Sequence, residues 1–282
     1  MTTNLLKAIK NLHDIKGAAL LFGKGGASRN RVNSVGESLE EFVKDLFCNS
    51  LTEAEESKYK THSKHFSYLG AKNSPPDIIL RNSDAIEVKK IESLNASIAL
   101  NSSYPKDKLY ADSTLIQDDC RKCEDWDVKD FLYVVGVVKN NKLLSLWFVY
   151  GDCYAASKHT YERISNKISN GLSELGDIEL SETNELGRVN QVDPLKITHL
   201  RIRGMWGIEN PNKVFSYISL AKSDNFFMNA LILDEKYNSF PEVDRSELEK
   251  LQDGSFKIQN VEIKSPKNPA NLLNAKLISL VR

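Results

Sequence analysis

The sequence predicts an α/β fold in which helices flank a mixed β-sheet core. Helical and strand periodicities are interleaved along the chain. Residues 131–138 and 143–150 are apolar and rich in β-branched and aromatic side chains, as expected of buried central strands. No repeat, low-complexity tract or linker divides the chain, so we expect a single domain spanning residues 1–282.

Apolar spacing and capping signals predict the helices. A first helix is expected within residues 1–12, followed by a basic, flexible loop over 17–31. Ser34 is predicted to cap the next helix, with Glu37 completing a capping box. Further helices are predicted over residues 52–63, 157–175 and 241–252.

Segments with a two-residue period predict the strands. The two central strands are expected to be joined by a turn at residues 139–142. Other strands are predicted over residues 66–69, 78–81, 85–91, 197–203, 226–233 and 256–263. A recognition region is expected around residues 180–220.

Charge and hydropathy limit the class of protein. The chain has 38 Lys and Arg against 38 Asp and Glu, so its formal net charge is zero. A nucleic-acid binder of this composition needs a basic cleft rather than a basic surface. No apolar run is long enough for a transmembrane helix, and no signal peptide is recognisable, so we expect a cytoplasmic protein without a membrane partner.

Residues 75–90 carry the clearest chemical pattern. Asp77 follows two prolines at the start of one strand, and Glu87 and Lys89 are two residues apart on the next, so they share one face. Asp77 lies opposite Glu87 only if the hairpin is centred on Asn82, which requires an odd-numbered loop or a bulge. A two-residue loop would instead pair Asp77 with Val88. We predict the odd loop or the bulge.

Two neighbouring carboxylates form a hard-oxygen site suited to Mg²⁺. We expect Asp77 and Glu87 to bind the metal, with the backbone carbonyl of Val88 as a further ligand. Lys89 is expected to orient an attacking water and to stabilise the negative charge that develops. This combination favours hydrolysis of phosphodiesters.

The helix preceding this hairpin offers an additional carboxylate. Glu40 lies near the edge of the apolar stripe and is the first candidate for a further metal ligand and catalytic group. Glu37 is the alternative, although capping would occupy it. Glu41 is expected to be solvated, and all three glutamates could instead be surface charges.

The arrangement of Asp77, Glu87 and Lys89 matches the PD-(D/E)xK nuclease signature, and the chain resembles the NgoPII-type restriction endonucleases from about residue 33 to its end. The resemblance is carried by VGESLEEFVKD at 35–45, PPDIILRNSDAIEVKKI at 75–91, ALNSSYPK at 99–106, YGDCYAASK at 150–158, LGRVN at 186–190 and LRIRGMW at 200–206.

This resemblance implies a type II restriction enzyme with a restriction-endonuclease-like sheet and Mg²⁺ as cofactor. It implies double-stranded DNA as substrate, with blunt cleavage within the palindrome GGCC. A palindromic site implies a two-fold homodimer. The function also implies a cognate DNA methyltransferase that protects the host.

Guanine is best read in the major groove by Arg or Lys. Arg201 and Arg203 alternate along one predicted strand and are the leading candidates for readers, followed by Arg188 and Asn190. Additional contacts with the DNA backbone or base edges are expected from Asn101, Ser103 and Lys106. Each arginine could instead contact phosphates or acidic neighbours.

Two other functions remain open at this point. The same fold could cut branched or damaged DNA regardless of sequence. It could also serve as a DNA-binding module without catalysis, although the complete set of Asp77, Glu87 and Lys89 argues against that hypothesis.

Overall fold

The structure is a computed structural model that describes residues 3–15, 31–70, 74–174, 186–190, 192–194 and 199–282. For residues 31–37 and 173 it describes the backbone. Most of the predicted loop at 17–31 therefore lies outside the described residues.

Strands make up the centre of the described fold. They are β1 (Phe66–Leu69), β2 (Ile78–Leu80), β3 (Ala85–Ile91), β4 (Ile98–Asn101), β5 (Lys108–Tyr110), β6 (Val128–Lys139), β7 (Lys142–Tyr150), β8 (Gly187–Val189), β9 (Leu200–Ile202), β10 (Trp206–Ile208), β11 (Phe227–Leu233), β12 (Phe256–Lys264) and β13 (Leu272–Val281).

Helices surround these strands. They are α1 (Leu5–Asp14), α2 (Arg31–Cys48), α3 (Glu55–His65), α4 (Asp118–Lys122), α5 (Gly151–Tyr154), α6 (Lys158–Ser173), α7 (Pro211–Val214), α8 (Asp234–Ser239) and α9 (Glu242–Glu249). Within the described ranges, none of these helices is both long and apolar enough to span a membrane.

The main sheet is mixed, which confirms the predicted fold class. Its strand order is β1-β2-β3-β6-β7-β11-β13-β12, and β5 pairs with one end of β6. The β3–β6 and β7–β11 pairs are parallel, and the other pairs are antiparallel. Two small sheets, β4–β10 and β8–β9, lie outside it.

The two central strands are those predicted from their apolar runs. Side chains of β6 and β7 such as Tyr133 and Trp147 are almost completely buried. Asn140 and Asn141 both have positive φ, as a two-residue hairpin turn with the right twist requires. The long apolar pair therefore forms the middle of the core, with β3 placed beside it.

Two predicted element ends are corrected by the structure. Helix α2 begins at Arg31, so Ser34 and Glu37 lie within its first turns and the predicted cap at Ser34 is wrong. The α2 helix packs against α1, and tertiary packing of this kind overrides a local capping preference. Strand β9 is also shorter than the predicted 197–203, and residues 195–198 lie outside the described residues.

Strand β13 was not predicted. It pairs along Leu272–Val281 with β12 on one side and with β11 on the other. Its sequence mixes polar and apolar residues without a strict two-residue alternation, so local periodicity does not reveal it. The two neighbouring strands supply its backbone hydrogen bonds and bury its second half.

Candidate active site

The β2–β3 hairpin brings Asp77 beside Glu87. Ile78 pairs with Ile86 and Ile79 with Ala85. The backbone N–H of Asp77 donates to the carbonyl of Ile86 over 3.0 Å, and the charge of Glu87 acts on the Asp77 carboxyl group. The three-residue loop is centred on Asn82, whose φ is 55°. The predicted odd-numbered loop is therefore confirmed, since a two-residue loop would have given the other register.

Asp77 is held from both sides. Its Oδ2 accepts a hydrogen bond of 2.7 Å from the backbone N–H of Val88. Its carbonyl accepts another of 2.6 Å from the N–H of Gly70. A Cβ on Gly70 would lie 2.3 Å from the carbonyl oxygen of Pro76, so only glycine allows this approach. No local sequence pattern joins Gly70 to Asp77, so the contact between them was not predicted.

Glu87 and Lys89 form a close ion pair on the adjacent strand. The Lys89 Nζ lies 2.6 Å from the Glu87 Oε1. Glu87 is only 6% exposed, and its Oε2 is buried without a hydrogen-bond partner among the described residues. One oxygen of the Glu87 carboxylate is therefore left for a ligand.

The electrostatics of this site follow from two carboxyl groups that lie close together in a buried region. Burial and the neighbouring charge of Glu87 raise the pKa of Asp77 to about 8. Burial acts to lower the pKa of Lys89, but the attraction of Glu87 and Asp77 outweighs it, so this pKa lies above its ordinary value. Lys89 is consequently a permanent cation at neutral pH.

Glu40 approaches this site from α2. The helix packs on β6 at Gly136, where a Cβ would lie 2.6 Å from a methyl carbon of Leu39. The charge of Glu40 contributes to raising the pKa values of both Asp77 and Lys89. Its carboxylate lies 2.8 Å from the Nζ of Lys44, which also binds the more exposed Glu41.

The hairpin carboxylates fit a divalent metal ion. One oxygen of Glu87 has no hydrogen-bond partner among the described residues, and the raised pKa of Asp77 reflects two carboxyl groups close together in a buried site. Mg²⁺ is commonly bound by one or two carboxylates together with other oxygen ligands. Across the described residues no group of three or more His, Cys, Asp or Glu side chains lies close enough to share a metal, so the fit depends on Asp77 and Glu87.

Lys106 lies near this site, although the sequence suggested only a DNA contact. It is 5% exposed, and its Nζ donates to the hydroxyl of Ser103. Its backbone N–H donates to the hydroxyl of Tyr133 over 2.7 Å. Tyr133 is the register partner of Glu87 in the β3–β6 pair, so the backbone of Lys106 is hydrogen-bonded to the strand beside Glu87.

A cavity of about 440 Å³ adjoins Lys106 and contains Arg203 in its lining. One wall is formed by α6, whose half-buried Lys158, Glu162 and Ser165 face the cavity. On the same helix Ile164 is 40% exposed. The sequence predicted a helix over 157–175 but did not indicate that this polar side lines a cavity.

Asn101 lies at the end of β4, next to this cavity. Its φ is 53°, and it pairs with Trp206 of β10. The edge of the Trp206 indole contacts Tyr104, which also lines the cavity. The structure thus places Asn101 and Ser103 in the same neighbourhood as Arg203.

The other predicted reading residues lie on the β8–β9 ribbon. Arg188 and Arg201 are directly opposite each other, and the Nε of Arg188 donates to the Oδ1 of Asn190 over 3.1 Å. These residues form a basic patch separate from the hairpin.

Comparison with known proteins identifies the family of this chain. A profile described as NgoPII restriction endonuclease matches residues 3–264. The chain is 50% identical over 256 residues to the type II restriction enzyme NgoPII of Neisseria gonorrhoeae, covering 89% of this chain and 91% of that protein. No solved structure matches. With Asp77, Glu87 and Lys89 on one face of a hairpin and a family match across nearly the whole chain, this protein belongs to the NgoPII restriction endonuclease family.

Proposed function

We propose that the protein cleaves both strands of DNA at a specific palindrome by Mg²⁺-dependent hydrolysis of a phosphodiester bond. The observation that carries the proposal is the convergence of Asp77, Glu87 and Lys89 on one face of the β2–β3 hairpin. The palindrome proposed is GGCC with blunt ends, which follows from the resemblance to this family.

Each residue of the hairpin has a defined part in this proposal. Asp77, Glu87 and the carbonyl of Val88 hold the metal, and Glu40 joins them when it is released from Lys44. When bound, Mg²⁺ would supply an activated water and neutralise charge on the phosphate. Lys89 keeps its positive charge next to Glu87, where it orients the attacking water and stabilises the developing oxyanion.

DNA binding is assigned to the basic residues outside the hairpin. Arg201 and Arg203, followed by Arg188 and Asn190, are proposed to read the guanines of the site. Asn101, Ser103 and Lys106 are proposed to contact the strand near the catalytic residues. Support comes from the opposed arginines of the β8–β9 ribbon and from the cavity that Arg203 shares with Lys106.

The biological setting is part of the same proposal. A palindromic site calls for a two-fold homodimer with one active site for each strand. A cytoplasmic location and a cognate methyltransferase follow from the function, because unprotected host DNA would be cut.

The test is cleavage of unmethylated phage DNA with Mg²⁺, followed by sequencing of the ends. Blunt ends within GGCC are expected, and they should be absent with EDTA and with Asp77→Asn. Discrete ends at another sequence would retain the nuclease and reject GGCC. Cleavage confined to branched DNA would reject the restriction function, and binding without any cleavage would reject catalysis.

A further inference from the structure

Lys106 is a buried cation without a carboxylate partner. Three lysines line the cavity beside the active site. Lys108 pairs with Asp130 and Asp152, and Lys158 pairs with Asp112. In contrast, the described residues place no carboxylate within 4 Å of the Lys106 Nζ, although Lys106 is the least exposed of the three.

The neighbours of Lys106 hold it without neutralising it. The Nζ donates to the hydroxyl of Ser103, lies 3.5 Å from the carbonyl oxygen of Tyr104, and lies 4.8 Å from the centre of the Tyr104 ring. These are neutral groups, so the full charge stays in the site. Burying a lysine without a counterion costs stability, and proteins retain such an arrangement mainly at functional sites.

The position of Lys106 connects the cavity to the catalytic hairpin. Its backbone is bound to Tyr133, the partner of Glu87 across the β3–β6 pair. Burial lowers the pKa of Lys106 to about 8, with Glu87 acting to raise it and Lys89 acting to lower it further. Glu87 and Lys89 are therefore the charged groups that Lys106 faces, and they already pair with each other at 2.6 Å.

A negatively charged ligand entering from the cavity would meet Lys106 next to the metal-binding carboxylates. We propose that Lys106 is a second lysine of the catalytic site and that it contacts a non-bridging oxygen of the phosphate being cleaved. This inference rests on the proposed function, because it requires that DNA be hydrolysed at Asp77 and Glu87. Lys106 would then take part in catalysis, in addition to the contact with DNA that was expected from the sequence.

The physical reason is the low polarity around its Nζ. A charge-assisted hydrogen bond in a site with little water is stronger than the same bond at an exposed surface. Lys89 is committed to Glu87, whereas Lys106 has hydrogen-bonding capacity left after its bond to Ser103. Lys106 would therefore add to the stabilisation of negative charge on the phosphate that the metal ion and Lys89 are proposed to provide.

The test combines Lys106→Met with Lys257→Met, a control on the exposed face of β12. Single-turnover cleavage with Mg²⁺, DNA affinity in EDTA and the thermal midpoint are measured for each. For Lys106→Met we expect cleavage to slow by about 100-fold, as for loss of one preorganised donor. Affinity should change by less than about tenfold, because many phosphate contacts share the binding. The thermal midpoint should be equal or higher, because the unpaired charge is gone.

A sulfur substitution identifies the contacted atom. In the wild type, replacing the non-bridging oxygen that Lys106 contacts by sulfur should slow cleavage, and this penalty should shrink in Lys106→Met. Cleavage by the variant at the wild-type rate would overturn the inference and leave the proposed function intact. An unchanged sulfur penalty, or a lower thermal midpoint with affinity and rate falling together, would also overturn it. Failure of the wild type to cleave any DNA would instead reject the proposed function.

Discussion

The Oδ2 of Asp77 accepts a hydrogen bond of 2.7 Å from the backbone N–H of Val88. This bond ties the start of one strand to the middle of the next and keeps the Asp77 carboxylate beside Glu87. Two buried carboxylates repel each other, so the arrangement costs stability unless a proton or a cation is present. The carboxyl groups proposed to bind the metal therefore reduce the stability of the metal-free protein when both are ionised.

Asp77→Asn should change how stability depends on pH. The folded protein keeps the Asp77 proton up to about pH 8, whereas an unfolded chain releases it near pH 4. The metal-free wild type should therefore lose stability as pH rises from about 4 to about 8. In thermal unfolding with EDTA, the stability of the variant should depend less on pH. The difference in stability between the variant and the wild type should therefore grow in the variant's favour as the pH rises from about 4 to about 8. Identical profiles would contradict the raised pKa.

The same unfolding assay reports on metal binding. Added Mg²⁺ should raise the thermal midpoint of the wild type, because the ion binds the folded state only. The increase should be larger at pH 8 than at pH 6, since protons compete with the ion at Asp77. Asp77→Asn should show little increase, and an equal increase in both proteins would place the metal elsewhere.

Glu40→Gln and Glu41→Gln form a matched pair. Both glutamates contact Lys44, but Glu40 is less exposed than Glu41, and its charge is among the main influences on Asp77 and Lys89. We expect Glu40→Gln to lower the cleavage rate by about 10- to 100-fold and to raise the Mg²⁺ concentration required. Glu41→Gln should match the wild type. Equal effects of the two changes in a Mg²⁺ titration would remove Glu40 from the catalytic site.

Gly70→Ala should displace Asp77 from its position. The added methyl group would overlap the carbonyl of Pro76, so we expect a loss of about 1–3 kcal/mol in the free energy of unfolding. Cleavage should fall with it, even at a temperature where the variant remains folded. Gly254→Ala is the control, because a Cβ there meets nothing within 4 Å of the described structure. Full activity of Gly70→Ala would show that the close contact of Gly70 with Pro76 and Asp77 is not required for cleavage.

Removing Arg188 and Arg201 should reduce the salt dependence of DNA binding. Each phosphate contact contributes a slope of about 0.9 to the dependence of log affinity on log salt concentration. If both arginines hold phosphates, the double change to Gln should lower the slope by about 1.8 for each protomer. If they read bases, the slope should persist while discrimination against altered sites declines. An unchanged slope with unchanged discrimination would remove the ribbon from the interface.

Much of the catalytic pattern was predictable from local sequence. Glu87 and Lys89 share a face because they are two residues apart on a strand. The prolines before Asp77 are a local signal for the start of the hairpin, and Asn82, a residue type that tolerates positive φ, is a local signal for its turn. The paired asparagines at 140 and 141 likewise mark the turn between the central strands.

Other features of the candidate site required contacts between distant segments. Gly70 meets Asp77 only because β1 pairs with β2, and Tyr133 stands beside Glu87 only because β3 and β6 are parallel neighbours. The charge state of Lys106 depends on which carboxylates lie close to it. Residue spacing along the chain does not show which carboxylates these are.

By itself, the sequence predicted the mixed α/β class, the central strands and a hairpin with an odd-numbered loop or a bulge between Asp77 and Glu87, because these follow from periodicity and turn chemistry over short distances. Only the tertiary structure decided where β13 lies, which face of α6 turns inward, and that Lys106 is buried with no carboxylate partner among the described residues. Strand order, burial and the electrostatic environment arise from contacts between segments far apart in the chain, where local patterns carry no information.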